Sequence, residues 1–383
     1  MVWVGSVPFN INKITTRGEC GNGATVLNGA ATSMQYIHKV HRMSKQHVLL
    51  CASFVFCISF IQSVPGFNQS TVYSILIIAL ISTKFLPDTS RWRHIRNGVG
   101  DVVNCIKITH PPTLEDVKFY LFTRNNKKLA EEINDFNVTT VKYFNASLNT
   151  KILIHGYGQA YNNEVLLKMK DEYLYHQIVN VIMVDWHNLS MSFCYPIVSD
   201  YTEFVGQLTG YLLAKLPAKK VHIVGFSLGA HVAGIGAQMQ KTKVLRVTGL
   251  DPAGNPFFTP PVRYNVNKTC AENVDVIHTS IIGSTKHLGH ADFFVNGGFL
   301  QPACATTNVS CSHRRSLELY VESIVSNIGF KAVLCDSLNS FENNKCANNT
   351  FTFMGEPWLS RGAKRGIFYI RTNAKEPFAI SDN

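Results

Sequence analysis

In the pentad Gly225-Phe226-Ser227-Leu228-Gly229 a serine stands between two glycines. Such a pattern arises by chance in many chains, and its surroundings decide what it is worth. Before it runs an apolar stretch of strand length, residues 221–224, and after it a small-residue segment, 230–240, reads as a helix. A serine on a sharp strand-to-helix turn has its hydroxyl lifted above the sheet, and the glycines let that turn pass close to its neighbours. The helix behind it aims free N–H groups at the place where an oxyanion forms during acyl transfer. Ser227 is therefore the candidate nucleophile.

A serine hydroxyl needs a base to react at neutral pH, and the base needs an acid to orient it. Where the nucleophile sits on a strand-to-helix turn, the order along the chain is serine, acid, histidine. Asp251 closes the apolar run 245–250 in Gly-Leu-Asp-Pro, so its carboxylate emerges at a strand terminus. Asp275, inside the strand-like VDVIHT, and Asp292, in ADFF, are poorer acids for the role. Four histidines follow Asp251: His278, His287, His290 and His313. Chain order does not choose among them.

These side chains need a scaffold, and from about residue 102 the pattern supplies one. Residues 118–123, 151–155 and 179–186 are strand-length apolar runs. Residues 201–216 place Phe204, Leu208, Leu212 and Leu216 four apart, on one face of a helix. Strands alternating with helices at this spacing predict an α/β fold, a largely parallel central sheet flanked by helices on both faces, and the turn at Ser227 makes the expectation an α/β-hydrolase.

The chain has 383 residues, 46% hydrophobic and 16% charged, which excludes a disordered protein. Its formal charge of +11 is concentrated at the start: the first hundred residues contribute +7. No basic stripe remains in the body, so nucleic acid is not expected as a partner. Seven cysteines follow residue 100, without a CxxC pair, so disulfides are expected rather than a metal site, and no cofactor is implied. Residues 43–63 show a short basic start, an apolar run from Val48 to Ile61 and a small Ser63, the layout of a secretory signal peptide. The apolar run falls short of the about 20 residues of a membrane-spanning helix, although an internal signal anchor is the alternative. Met43 reads as the true start, with 1–42 an unassigned leader, 64–101 a linker or propeptide-like segment, and 102–383 the catalytic domain. Sequons at Asn68, Asn137, Asn145, Asn188, Asn267, Asn308 and Asn348 agree with a secreted, extracellular glycoprotein.

From Cys105 onward nine segments, in order, resemble the pancreatic lipase family, and within it the short secreted phospholipases A1 of the insect venom type. They are KFYLFTRNN (118–126), ILIHGYG (152–158), NVIMVDW (180–186), HIVGFSLGAHVAG (222–234), GLDPAGNPF (249–257), VIHTS (276–280), ADFFVNGGFLQPAC (291–304), CSHRRSLELY (311–320) and GIFYIRTN (366–373). The resemblance implies that His313, read as lying in a loop before a helix, is the general base and that Asp251 orients it. It implies an oxyanion hole made by the backbone N–H groups of Tyr157 and Leu228. It also implies disulfides Cys105–Cys194, Cys304–Cys311 and Cys335–Cys346, leaving Cys270 unpaired.

Departures from the family bear on substrate. Triacylglycerol lipases of this family carry a long lid between the cysteines corresponding to Cys304 and Cys311, whereas only residues 305–310 separate them here. The loop 280–288 is also short. Both truncations resemble phospholipases A1, whose open site takes a polar headgroup. The expectation is hydrolysis of the sn-1 acyl ester of glycerophospholipids by a monomer at a phospholipid membrane or micelle surface, without colipase. The rivals are a triacylglycerol or galactolipid lipase, and a non-catalytic lipid carrier like the family's yolk proteins. The last is disfavoured because all three triad residue types are retained.

Overall fold

The computed structural model describes residues 111–254, 257 and 265–381. The segments expected at 1–42, 43–63 and 64–101, and Cys105, lie outside the described residues. In chain order the elements are β1 (Lys118–Phe122), β2 (Glu131–Glu132), β3 (Asn149–Ile154), α1 (Glu164–His176), β4 (Val179–Asp185), α2 (His187–Ser190) and α3 (Tyr195–Leu213). There follow β5 (Val221–Phe226), α4 (Leu228–Gln238), β6 (Arg246–Leu250), β7 (Asn273–His278), β8 (Ala291–Val295) and α5 (Val309–Val325). The chain then adds β9 (Phe330–Leu334), α6 (Leu338–Glu342), β10 (Phe351–Met354) and β11 (Gly366–Ile370).

The strands form one sheet in the order β10-β9-β11-β8-β7-β6-β5-β3-β4-β1-β2. From β11 to β4 every neighbouring pair is parallel, and antiparallel strands finish both edges. Parallel strands covered on both faces read as continuous apolar runs, which is why β4, β5, β6 and β8 are buried at every position. Their alternating side chains divide into two cores. Ile152, Ile154, Ile223 and Val247 pack with α3 and α4 on one face, through residues such as Val205, Leu208, Val232 and Ala233. Leu153, Val224, Leu250 and Ile277 face the other way and pack with α1 and α5, through Met169, Tyr173, Leu317 and Tyr320. The period of two along a strand thus assigns each helix its layer.

The α/β expectation holds, with two corrections at helix starts. The helix expected over 201–216 begins at Tyr195, because Pro196 lies in its first turn, where a missing N–H costs nothing. Nor does His313 lie in a loop. It is already inside α5, whose start at Val309 is capped by the Asn308 side chain accepting from the Cys311 N–H at 3.1 Å. Disulfides join Cys304 to Cys311 and Cys335 to Cys346, and Cys270 is free and buried, as expected. Cys194 is disulfide-bonded. Among the described residues no helix is long and apolar enough to cross a membrane.

Beneath the first residues of the central strands lies a buried charge network. Arg246 holds Asp275 with two bonds of 2.8 Å, and Lys151 holds Glu356 at 2.6 Å. Tyr173 and Tyr320 donate to Glu356 at 2.7 and 2.9 Å, tying α1 and α5 to the segment before β11. Burial works to raise the Glu356 carboxyl, but Lys151, Arg246 and the donated hydrogen bonds outweigh it and hold the group down at about 2. Asp275 is therefore a structural counter-ion. Asp275→Ala should lower the unfolding free energy by about 3–5 kcal/mol, because it strands a buried guanidinium; urea titration measures this.

Candidate active site

Ser227 occupies the single residue between the end of β5 and the start of α4. Its backbone is strained, with φ 56° and ψ −119°. The flanking glycines explain how the turn exists. A Cβ on Gly225 would fall 2.2 Å from the Gly229 carbonyl oxygen, and one on Gly229 would fall 2.5 Å from the His155 carbonyl oxygen. No larger residue fits either place without moving backbone.

Asp251 repeats this arrangement one strand along. It follows β6 directly and has φ 42°. The Ser227 N–H donates to the Leu250 carbonyl at 2.9 Å, and the Asp251 N–H to the Ile277 carbonyl at 2.8 Å. The parallel ladder is thereby carried past the strand ends, and the two side chains emerge on neighbouring strands at one edge of the sheet. The N–H of Ala253 closes back on the Ser227 carbonyl at 3.3 Å.

His313, the fifth residue of α5, brings its Nδ1 to 2.6 Å from Asp251 Oδ2. The carboxylate is fully buried, while the imidazole keeps 12% of its side-chain surface. The His313 ring also lies against Phe226, the residue before Ser227, with ring centroids 4.6 Å apart. The structure thus assembles Asp251 with His313 beside the turn that carries Ser227.

The other candidates are placed elsewhere by their partners. His278 Nε2 bonds Asp292 Oδ1 at 2.9 Å in a buried pair, which accounts for both residues. His290 Nδ1 accepts from the Val274 N–H at 3.0 Å, and the His287 ring packs edge-on to Phe294.

Tyr157 follows β3 in the loop that lies against the Ser227 turn: a Cβ on Gly156 would fall 2.8 Å from that of Ser227. Two residues not singled out from sequence lock this loop. Trp186 donates its backbone N–H to His155 Nε2 and its indole N–H to the His155 carbonyl, each at 3.0 Å, and the two rings stack. His155 Nδ1 stands 3.0 Å from the Gly156 carbonyl, and its Nε2 also lies 3.2 Å from Asp185 Oδ1. The Gly158 N–H is held by the Ser190 carbonyl at 2.9 Å. On the opposite side Leu228 opens α4, so its N–H has no carbonyl one turn earlier in the helix. Burial pushes the Tyr157 phenol up to about 12, keeping it neutral.

His231, four residues after Ser227, was also missed, although it stands in the resembling segment. Its Nε2 donates to the Ala253 carbonyl at 2.8 Å while Nδ1 accepts from the Val266 N–H, and its ring stacks on Phe257. It pins the chain after Asp251 to α4. Cys304 and Cys311, expected to bound a lid, close the turn 304–311 with a Cα–Cα distance of 5.6 Å, and the last residues before Cys311 are already the first turn of α5.

A central parallel sheet with a strained serine turn after β5, an aspartate after β6 and a histidine after β8 defines an α/β-hydrolase fold. More narrowly, the Lipase family model matches residues 95–378, and the chain belongs to that family. Lipase member H-B of Xenopus laevis is 31% identical over 69% of this chain and 63% of its own length. Pancreatic lipase-related protein 2 of Cavia porcellus is 35% identical over 61% of this chain and 57% of its own. Lipoprotein lipase of Sus scrofa is 33% identical over 62% and 57%. The chain therefore spans about three-fifths of the length of these curated relatives.

The buried histidines set the acid limit of stability. Burial pushes His231 down from 6.5 to about 4, against the pull of its bond to Ala253, and burial with Arg246 and Lys151 lowers His222 well below 6.5. A histidine depressed in the fold contributes fully above its unfolded value and loses that contribution as pH falls. The thermal midpoint should therefore decline from about pH 6.5 towards 4, with the Glu356 contribution lost lower still, from 4.5 towards about 2. His231→Gln should show a shallower decline between pH 6.5 and 4 in melts followed by circular dichroism. An unchanged slope would assign that window to other groups.

Proposed function

We propose that this protein is a secreted serine esterase that releases the sn-1 acyl chain of glycerophospholipids. His313 takes the Ser227 proton as the hydroxyl attacks the ester carbonyl, and Asp251 stabilises the imidazolium that results. The N–H groups of Tyr157 and Leu228 bind the oxyanion. The proton passes to the leaving lysophospholipid alkoxide, and water, activated by the same histidine, then cleaves the acyl-enzyme. The reading of the chemistry is supported by the 2.6 Å contact between His313 and Asp251 beside the strained Ser227 turn.

The substrate assignment rests on one observation, the lid. Six residues closed by a disulfide, the last two of them helical, are too few to form an amphipathic cover over the site. An open site accommodates a charged headgroup standing at a membrane or micelle surface, where the protein acts as a monomer. Export is supported by the signal-like segment, the sequons and the disulfides. The competing substrate is triacylglycerol, named in one relative of this chain, the pancreatic triacylglycerol lipase of Cavia porcellus.

The test is hydrolysis of phosphatidylcholine labelled differently at sn-1 and sn-2, beside an emulsified triacylglycerol. Preferential sn-1 release with little triacylglycerol turnover is expected. Dominant triacylglycerol hydrolysis would overturn the inference from the lid while keeping the triad. Ser227→Ala should fold normally and lose about 10⁴-fold or more of the turnover; a fully active variant would overturn the mechanism.

A further inference from the structure

Ser280 emerges on the turn just after β7, buried beside the proposed acid and base. Its hydroxyl donates to Asp251 Oδ2, the same oxygen that faces His313, and stands 3.5 Å from His313 Nδ1. The other carboxylate oxygen, Oδ1, accepts the backbone N–H groups of Thr279 and Ser280 at 2.8 and 3.2 Å. The Ser280 oxygen itself accepts the Gly283 N–H at 3.3 Å, which turns its own hydrogen toward Oδ2. Gly283 closes the turn tightly, since a Cβ there would fall 2.4 Å from Oδ1.

Two donors on Oδ1 fix one end of the carboxylate. Without the Ser280 hydroxyl, Oδ2 would be restrained by the histidine alone, the partner whose charge changes during turnover. Resting on the proposed triad, the geometry points to Ser280 as a positioning residue for acyl transfer: its hydroxyl holds Asp251 Oδ2 on the line to His313 while the imidazolium forms. The role acts entirely through Asp251. It is therefore felt in turnover rather than in substrate binding, and it disappears when the acid is removed.

The experiment uses p-nitrophenyl butyrate, a soluble ester whose hydrolysis is independent of the phospholipid assignment. Wild type, Ser280→Ala, Asp251→Asn, the Asp251→Asn/Ser280→Ala double variant and Ser227→Ala are compared. Ser280→Ala should lower kcat by roughly 10- to 100-fold, with KM within about twofold of wild type. Asp251→Asn should lower kcat by about 10⁴-fold, and the double variant should match it within about twofold. Losses that multiply in the double variant, or a wild-type kcat for Ser280→Ala, would overturn the proposal. Should Ser280→Ala fail to fold by circular dichroism, Ser280→Cys enters the same comparisons, retaining the volume with a far weaker donor. A fully active Ser227→Ala would instead remove the triad itself, so the two failures are distinct.

Discussion

Two backbone hydrogen bonds carry the architecture of the site: Ser227 N–H to the Leu250 carbonyl, and Asp251 N–H to the Ile277 carbonyl. Each continues the parallel ladder one step beyond a strand, at a residue whose φ is positive. Positive φ at a non-glycine residue costs on the order of 1–3 kcal/mol. It persists here because the sheet register over-determines it. With Phe226 opposite Leu250, and Leu250 opposite Ile277, a slip of one residue would send each side chain of a buried strand into the wrong one of the two cores. The two cores therefore hold the functional turns in place.

The histidine reaches the site by a different route. It rides on α5, whose inner face, including Leu317, Tyr320 and Val321, is embedded in the core shared with α1. Near its start, the Gln301 backbone N–H donates to the Ser312 hydroxyl at 3.0 Å, and the Gln301 side chain donates to the Thr279 and Val295 carbonyls at 3.0 and 2.8 Å. Gln301 thereby links the histidine helix to the turn that cradles Asp251. Farther along α5, Glu322 accepts the N–H groups of Phe378 and Ala379, each at 2.7 Å. The short lid need not hold His313; the helix is anchored by packing and by these polar ties.

The charge network beneath the sheet complements this. Parallel strands start with backbone and side-chain polar groups that burial would leave unsatisfied. Arg246, Asp275, Lys151 and Glu356 satisfy one another there and tie the strand starts to Tyr173 and Tyr320 on the helices. Ionised groups are thus concentrated below the sheet as structure. At the opposite strand ends the His313 imidazole keeps 12% of its side-chain surface.

Much of this was legible in the chain. Apolar runs of strand length gave the strands, since burial on both faces writes itself into local composition, and a four-residue spacing gave the helix that contains Phe204 to Leu212. The glycines around Ser227 marked a tight strand-to-helix turn, since no other residue fits those contacts, and Asp251 was marked by its place at a strand end. The choice of His313 over His278, His287 and His290 needed resemblance, because residues 62 positions apart meet only through the fold. Other features were decided by tertiary structure alone. Asn308 caps α5 so early that His313 is helical, which local pattern did not reveal. Asp275 and Asp292 became partners of Arg246 and His278 through pairings between strands. Ser280, an unremarkable serine in the sequence, meets Asp251 only because β6 and β7 end side by side. Spacing along the chain encodes which face a residue presents; which groups meet across that face is set by the register of strands that the sequence joins at a distance.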